Sequence, residues 1–135
     1  MTNKELLKIA VNAREKAYAP YSDFFVGAAL LCDDGSVYGG CNIENASYTP
    51  TCCAERVALF KAVSEGKRGF KKIAIVGGKQ GDIAEYCYPC GVCRQVLSEF
   101  CPDTFEIITG TQNDAISVTL GELLPSAFKI NQREE

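Results

Sequence analysis

Two short cysteine groups constrain this chain more than any other feature: Cys53-Ala54-Glu55, and Pro89-Cys90-Gly91-Val92-Cys93 beyond an apolar run. A CxxC pair can grip one metal ion from the start of a helix, and a third thiol leaves the fourth tetrahedral position open for water. A carboxylate beside that water can move protons. The sequence contains no histidine. Any zinc must therefore be held by cysteine or carboxylate, and any general base must be something other than imidazole. A fold that serves these groups has to bring two separate helix starts together.

The chain is 135 residues long and 47% hydrophobic, enough for one domain, 1–135, to bury a core without disulfide staples. Its net charge of -3 offers no broad positive field for a polyanion, so nucleic acid is not an expected partner. The opening Met1-Thr2-Asn3-Lys4-Glu5 is charged and amphipathic, and no run of 18 apolar residues follows. The expectation is a cytoplasmic protein with no membrane contact. There the eight cysteines read as metal ligands or small buried hydrophobes rather than as a disulfide framework. Cys32, Cys41 and Cys101 lie in or beside apolar runs and are assigned to packing, while Cys52 and Cys87 are either spare ligands or simple neighbours.

Thr2-Asn3-Lys4-Glu5 is a capping-box pattern, and the apolar spacing after it predicts a helix that runs toward Tyr18 and ends before Pro20. Residues 25–31 and 36–41, joined by Asp33-Asp34-Gly35, predict a β-hairpin. A helix follows from Cys53 to Ser64, its apolar side supplied by Val57, Leu59, Phe60 and Val63. Lys72 to Gly77 predicts a central strand buried on both faces. A helix from Cys90 to Phe100, with Val92, Val96 and Leu97 inward, leads to strands at 105–109 and 115–118. Thr119 and Glu122 open a short last helix. The order implies an α/β fold with a mixed sheet of about five strands and helices on its faces.

Both cysteine groups fall at helix starts, where unpaired amides and the positive dipole end favour thiolate and metal ligation. Cys53 and Glu55 would diverge by about 200° within a regular helix, so they converge only if Cys53 lies at its very start. Three thiolates around Zn²⁺ leave one net negative charge, which opposes ionisation of a bound water. Arg56 is placed to donate hydrogen bonds to the ligand sulfurs and offset that charge, with Arg94 a second candidate. A lone CxxC is weak evidence, but CxE at one helix start and PCxxC at another is the zinc-deaminase pattern in its all-cysteine version.

The sequence resembles the small, cysteine-ligated cytidine deaminases over nearly its whole length. The likeness rests on Ala17-Tyr18-Ala19-Pro20-Tyr21-Ser22, on Phe24-Phe25-Val26-Gly27-Ala28-Ala29-Leu30, and on Gly40-Cys41-Asn42-Ile43-Glu44-Asn45-Ala46. It continues through Cys53-Ala54-Glu55-Arg56, Pro89 to Gln95, and Leu123-Leu124-Pro125-Ser126-Ala127-Phe128. The resemblance implies a three-layer α/β/α fold with Cys53, Cys90 and Cys93 holding one Zn²⁺ and Glu55 as proton shuttle. It implies that Asn42 and Glu44 hold the ribose, that Phe24 packs on the pyrimidine, and that the Ala54 amide meets the base carbonyl. The Pro89 carbonyl, or a neighbour's, would accept from the 4-amino group, and Phe128 would close the pocket of an adjacent subunit in a homotetramer. The implied reaction is hydrolytic deamination of cytidine and 2'-deoxycytidine at C4 by a zinc-activated water, a step of pyrimidine salvage. Val92 between the zinc cysteines replaces a commoner alanine, and the tail Lys129 to Glu135 lacks the expected acidic ending.

Three readings compete. A blasticidin-S-type deaminase shares the zinc motif but not the Asn42-Ile43-Glu44-Asn45 segment. A structural zinc module needs a fourth ligand, from Cys87 or Cys52. A redox role for Cys90 and Cys93 lacks the strand-borne context of thioredoxins.

Overall fold

The computed structural model describes residues 1–84 and 86–130. Their elements are α1 (Asn3–Arg14), β1 (Phe24–Cys32), β2 (Val37–Cys41), α2 (Ala54–Ser64), β3 (Phe70–Lys79), α3 (Gly91–Phe100), β4 (Glu106–Gly110), β5 (Ala115–Thr119) and α4 (Leu120–Leu123). The strands form one mixed sheet in the order β2-β1-β3-β4-β5. Only the β3–β4 pair is parallel. A parallel pair requires a crossover, and α3 supplies it.

Alternation along the inner strands separates two cores. Ala28, Leu30, Ile73, Ile75 and Ile107 face α2 and α3, joining Ala54, Ala58, Leu59, Ala62 and Leu97. Ala29, Leu31, Ala74, Val76 and Ile108 face α1 and meet Leu6, Leu7 and Ala10. The sheet is thus the middle of three layers, and β3, covered on both sides, carries a near-continuous buried run from Ile73 to Gly78. Fully burying one such aliphatic side chain contributes about 1.5–3 kcal/mol.

Three expectations need correction. The first helix stops at Arg14, well short of Tyr18, because the chain there turns to pair with a loop: Tyr18 N–H donates to the Asn42 carbonyl and the Tyr18 carbonyl accepts from Glu44 N–H, both at 2.9 Å. On α2 the core side is made by Ala54, Ala58, Leu59 and Ala62, whereas Phe60 is exposed. The small residues there allow close approach to β2, where a Cβ on Gly40 would lie 2.5 Å from the Ala54 carbonyl. Val92 is also exposed, since it lies in the first turn of α3, above the core rather than against it. The polar tail falls largely on residues 131–135, outside the described residues. No helix among the described residues is long and apolar enough to cross a membrane.

The topology decides where a site can form. β2 and β3 both run antiparallel to β1, so their C-terminal ends and the start of β1 share one edge of the sheet. Phe24 pairs with Lys79 there, and Gly27 with Cys41. The connections to α2 and α3 leave from that edge, which brings both helix starts beside Phe24.

Candidate metal centre

Cys53 is the N-cap of α2, with extended backbone at φ -73° and ψ 156°, and Cys90 is the N-cap of α3 at φ -69° and ψ 170°. Cys53 therefore stands off the helical spiral, which meets the geometric demand for convergence with Glu55. Neither cap makes a side-chain hydrogen bond to its helix, so both sulfurs are free to turn toward each other. The Sγ atoms of Cys53 and Cys90 lie 3.6 Å apart, as do those of Cys90 and Cys93. All three lie within 4.8 Å of one another. A tetrahedral zinc with bonds of about 2.3 Å places its sulfurs about 3.8 Å apart, close to the spacing of Cys90 from each of the other two.

Around the thiols the charge is arranged unequally. Arg56 Nη2 lies 3.4 Å from Cys53 Sγ. The Cys53 thiol is held well below its ordinary range by hydrogen bonding from Cys93, with Arg56 and Cys90 assisting. Cys93 is correspondingly raised by its bond to Cys53 and by burial.

Glu55, 4% exposed, lines the same cleft as Cys53 and Cys90. Burial raises it to about pH 7, and its Oε1 has no hydrogen-bond partner among the described residues. A buried, unpaired carboxylate oxygen beside three converging thiols marks a place for a ligand or water. Cys52 and Cys87 are not in the sulfur cluster. Cys52 instead pairs through its backbone with Ile43, and the Cys87 thiol is pushed up to about 12, first by burial. Among the described residues the ligand set is three thiols, which leaves one position open and disfavours a closed structural site.

A cleft of about 330 Å³ opens onto this centre, with Phe24, Asn42, Glu44, Ala54 and Glu55 among its lining residues. Asn42 clamps the start of β1: its Oδ1 accepts from Val26 N–H and its Nδ2 donates to the Phe24 carbonyl, both at 2.9 Å. Glu44 Oε1 accepts from the amides of Tyr21 at 3.0 Å and Ser22 at 3.1 Å, and Oε2 accepts from the Ser22 hydroxyl. Those bonds, Ser22's hydroxyl first, hold its carboxyl below the ordinary value. The Pro89 carbonyl accepts from Arg94 Nε at 2.6 Å, and the cleft wall beside it is Tyr88. Phe128 is 69% exposed and outside this chain's own cleft. Sequence reasoning missed Tyr88 and Thr51 as lining residues; Cys87, left open as a spare ligand or a simple neighbour, also lines the cleft. Only their nearness to the cysteines could have pointed to them.

Three converging thiols with one position left open, beside a buried carboxyl at one end of an α/β/α sheet, suit a single zinc ion and make the arrangement that of a zinc enzyme. Comparison with known proteins specifies the class. Residues 1–109 match the model of the cytidine and deoxycytidylate deaminase zinc-binding region. The cytidine deaminase of Halalkalibacterium halodurans is 54% identical over 129 residues, covering 95% of each chain. That of Sporosarcina psychrophila is 49% identical, covering 95% of this chain and 92% of the relative. The crystal structure of cytidine deaminase from Burkholderia pseudomallei superposes with a TM-score of 0.86 at 50% identity, covering 95% of this chain and all of that one. The chain belongs to the cytidine and deoxycytidylate deaminase family, as a zinc-dependent enzyme of that family.

Proposed function

We propose that this enzyme converts cytidine and 2'-deoxycytidine, with water, to uridine and 2'-deoxyuridine plus ammonia, serving pyrimidine salvage in the cytoplasm as one domain, 1–135. The observation that carries the reading is the juxtaposition of Glu55 Oε1, buried and unpaired, with the sulfurs of Cys53, Cys90 and Cys93 at one end of a nucleoside-sized cleft. Bound zinc supplies the Lewis acid that makes a water nucleophilic at neutral pH.

The chain's own residues do the rest. Glu55 carries two protons in turn, the first from the nucleophilic water to N3 of the base, the second from the hydroxyl then bonded to C4 to the departing amine, which leaves as ammonia while C4 becomes a carbonyl. Phe24 packs on the pyrimidine, and the Ala54 amide, at the first position of α2 and unused by the helix, meets the base carbonyl. Glu44, already fixed as a carboxylate, accepts from a ribose hydroxyl. Asn42 has one amide proton beyond those used on β1 and offers it to the same sugar. The Pro89 carbonyl retains a lone pair for the 4-amino group. Phe128 is too exposed for a chain working alone, which supports a role across a subunit boundary in a homotetramer.

The test is metal content with turnover. Zinc near one per chain and loss of cytidine absorbance on mixing are expected, with blasticidin S a much poorer substrate. Zinc without ammonia release from either nucleoside would sink the reading. Glu55→Gln should stay folded and zinc-loaded with activity lower by several orders of magnitude. Sedimentation of an active monomer would remove Phe128 from the site.

A further inference from the structure

Thr109 is the next-to-last residue of β4 and has no solvent exposure. A hydroxyl on the sheet face that Ile107 shares, beside the covered strand β3, is costly unless it is paired. It finds both its partners on one residue. Thr109 Oγ1 accepts from Cys87 N–H at 2.5 Å and donates to the Cys87 carbonyl at 3.1 Å. Cys87 belongs to the stretch between β3 and α3, whose described residues form no ladder and which delivers Cys90 to the sulfur cluster three residues later. The parallel register sets Thr109 opposite Ile75, at the sheet edge from which that stretch departs.

The near end of the stretch is tied elsewhere. Arg14 Nη2 donates to the carbonyls of Gly78, Lys79 and Asp82 at 2.9, 2.7 and 2.5 Å, and Ala84 N–H donates to Gly77. Cys87 is a further point at which the stretch is held, immediately ahead of Tyr88, Pro89 and Cys90. The same grip holds the Cys87 thiol over Gly77, where an added Cβ would come within 2.6 Å of that sulfur and 3.0 Å of the Phe24 ring.

We infer that Thr109 is a positioning residue for the zinc centre: by holding the Cys87 backbone through both its amide and its carbonyl, it sets where Cys90 enters the ligand set. The inference rests on the zinc reading of the three thiols. It gives β4, which contributes no ligand, a direct part in metal retention.

The experiment measures the rate at which zinc passes from the native enzyme to a colorimetric chelator, for wild type, T109V, T109S and T109A. Valine keeps the volume and loses the hydroxyl. Serine keeps the hydroxyl, and it lacks the same methyl that alanine lacks. Release about tenfold faster from T109V and T109A, with T109S close to wild type, is the expected result, as for loss of a group that orients metal ligands. Should T109V not accumulate as folded protein, the serine and alanine pair carries the comparison alone. Equal rates in T109S and T109A, or all variants within twofold of wild type, would overturn the role of Thr109. A wild-type chain purified without zinc would instead bring down the metal reading, and this inference with it.

Discussion

Arg56 stands to Cys53 as Cys93 stands to Cys90: each is the third helical residue after a cysteine N-cap, and each comes back to that cap's sulfur, at 3.4 Å and 3.6 Å. The same two positions form capping boxes at Thr2 and Glu5 and at Thr119 and Glu122. One piece of local geometry therefore serves four helices, twice for stability and twice for chemistry. At α2 it delivers a cation to a ligand, and at α3 a second ligand.

The Arg56 contact draws charge from an otherwise electron-rich site. Arg56→Gln is expected to keep zinc near one per chain and to lower kcat/KM by about 10–100-fold, the usual effect of losing a partner to a metal ligand. Metal analysis beside steady-state kinetics checks it. Unchanged kcat/KM would show that the helix ends alone offset the third thiolate.

Gly40 lets α2 lie directly on β2, with backbone rather than side chain at the contact. A Cβ there would lie 2.5 Å from the Ala54 carbonyl and 2.6 Å from the Ala58 nitrogen, neither of which can swing away. Gly40→Ala should cost about 1–3 kcal/mol, as overpacking does. Urea unfolding reads the loss directly. Activity should fall with it, because Ala54 and Glu55 move with the helix start.

Ser22 fixes the ionisation of Glu44. The folded carboxyl is depressed, so its favourable bonds are present above the ordinary value near 4.5 and are lost as pH falls through the lower folded value. In Ser22→Ala the carboxyl should climb back toward 4.5, moving the acid limb of kcat/KM to higher pH and raising KM for nucleosides. An unmoved acid limb would mean that the Tyr21 and Ser22 amides suffice.

Cys101 gives an alkaline counterpart far from the metal. Burial, with Asp33 adding to it, pushes its thiol up to about 12 from 9. The unfolded chain releases that proton first, so stability is whole below about pH 9 and declines as pH rises from there toward 12. Cys101→Ala should flatten the fall of Tm between pH 9 and 11. A slope identical to wild type would assign the alkaline loss to other groups.

Much of this organisation is legible in the sequence because it is periodic or local. The alternation in β1 and β3, the capping boxes and the spacing of Cys53, Glu55, Cys90 and Cys93 each depend on neighbours a few residues away. What is not legible depends on tertiary partners. The end of α1 is decided by Asn42 and Glu44, 24 and 26 positions beyond the Tyr18 that they capture. The inward side of α2 goes to alanines because β2 approaches closely at Gly40, which no hydrophobicity scale predicts. Thr109 reads as an ordinary strand residue, since nothing near it names Cys87 as its partner. The family resemblance implies that Asn42 holds a sugar, while its clamp on Val26 and Phe24 emerges only once β1 lies beside it.

Cys53 and Cys90 are 37 positions apart, with α2 and β3 between them. An ion shared by their sulfurs closes that loop as a covalent cross-link would, and closing a loop of this length removes about 4 kcal/mol of freedom from the unfolded chain. The middle strand of the sheet thus lies inside a ring whose fastening answers to metal supply rather than to oxidation.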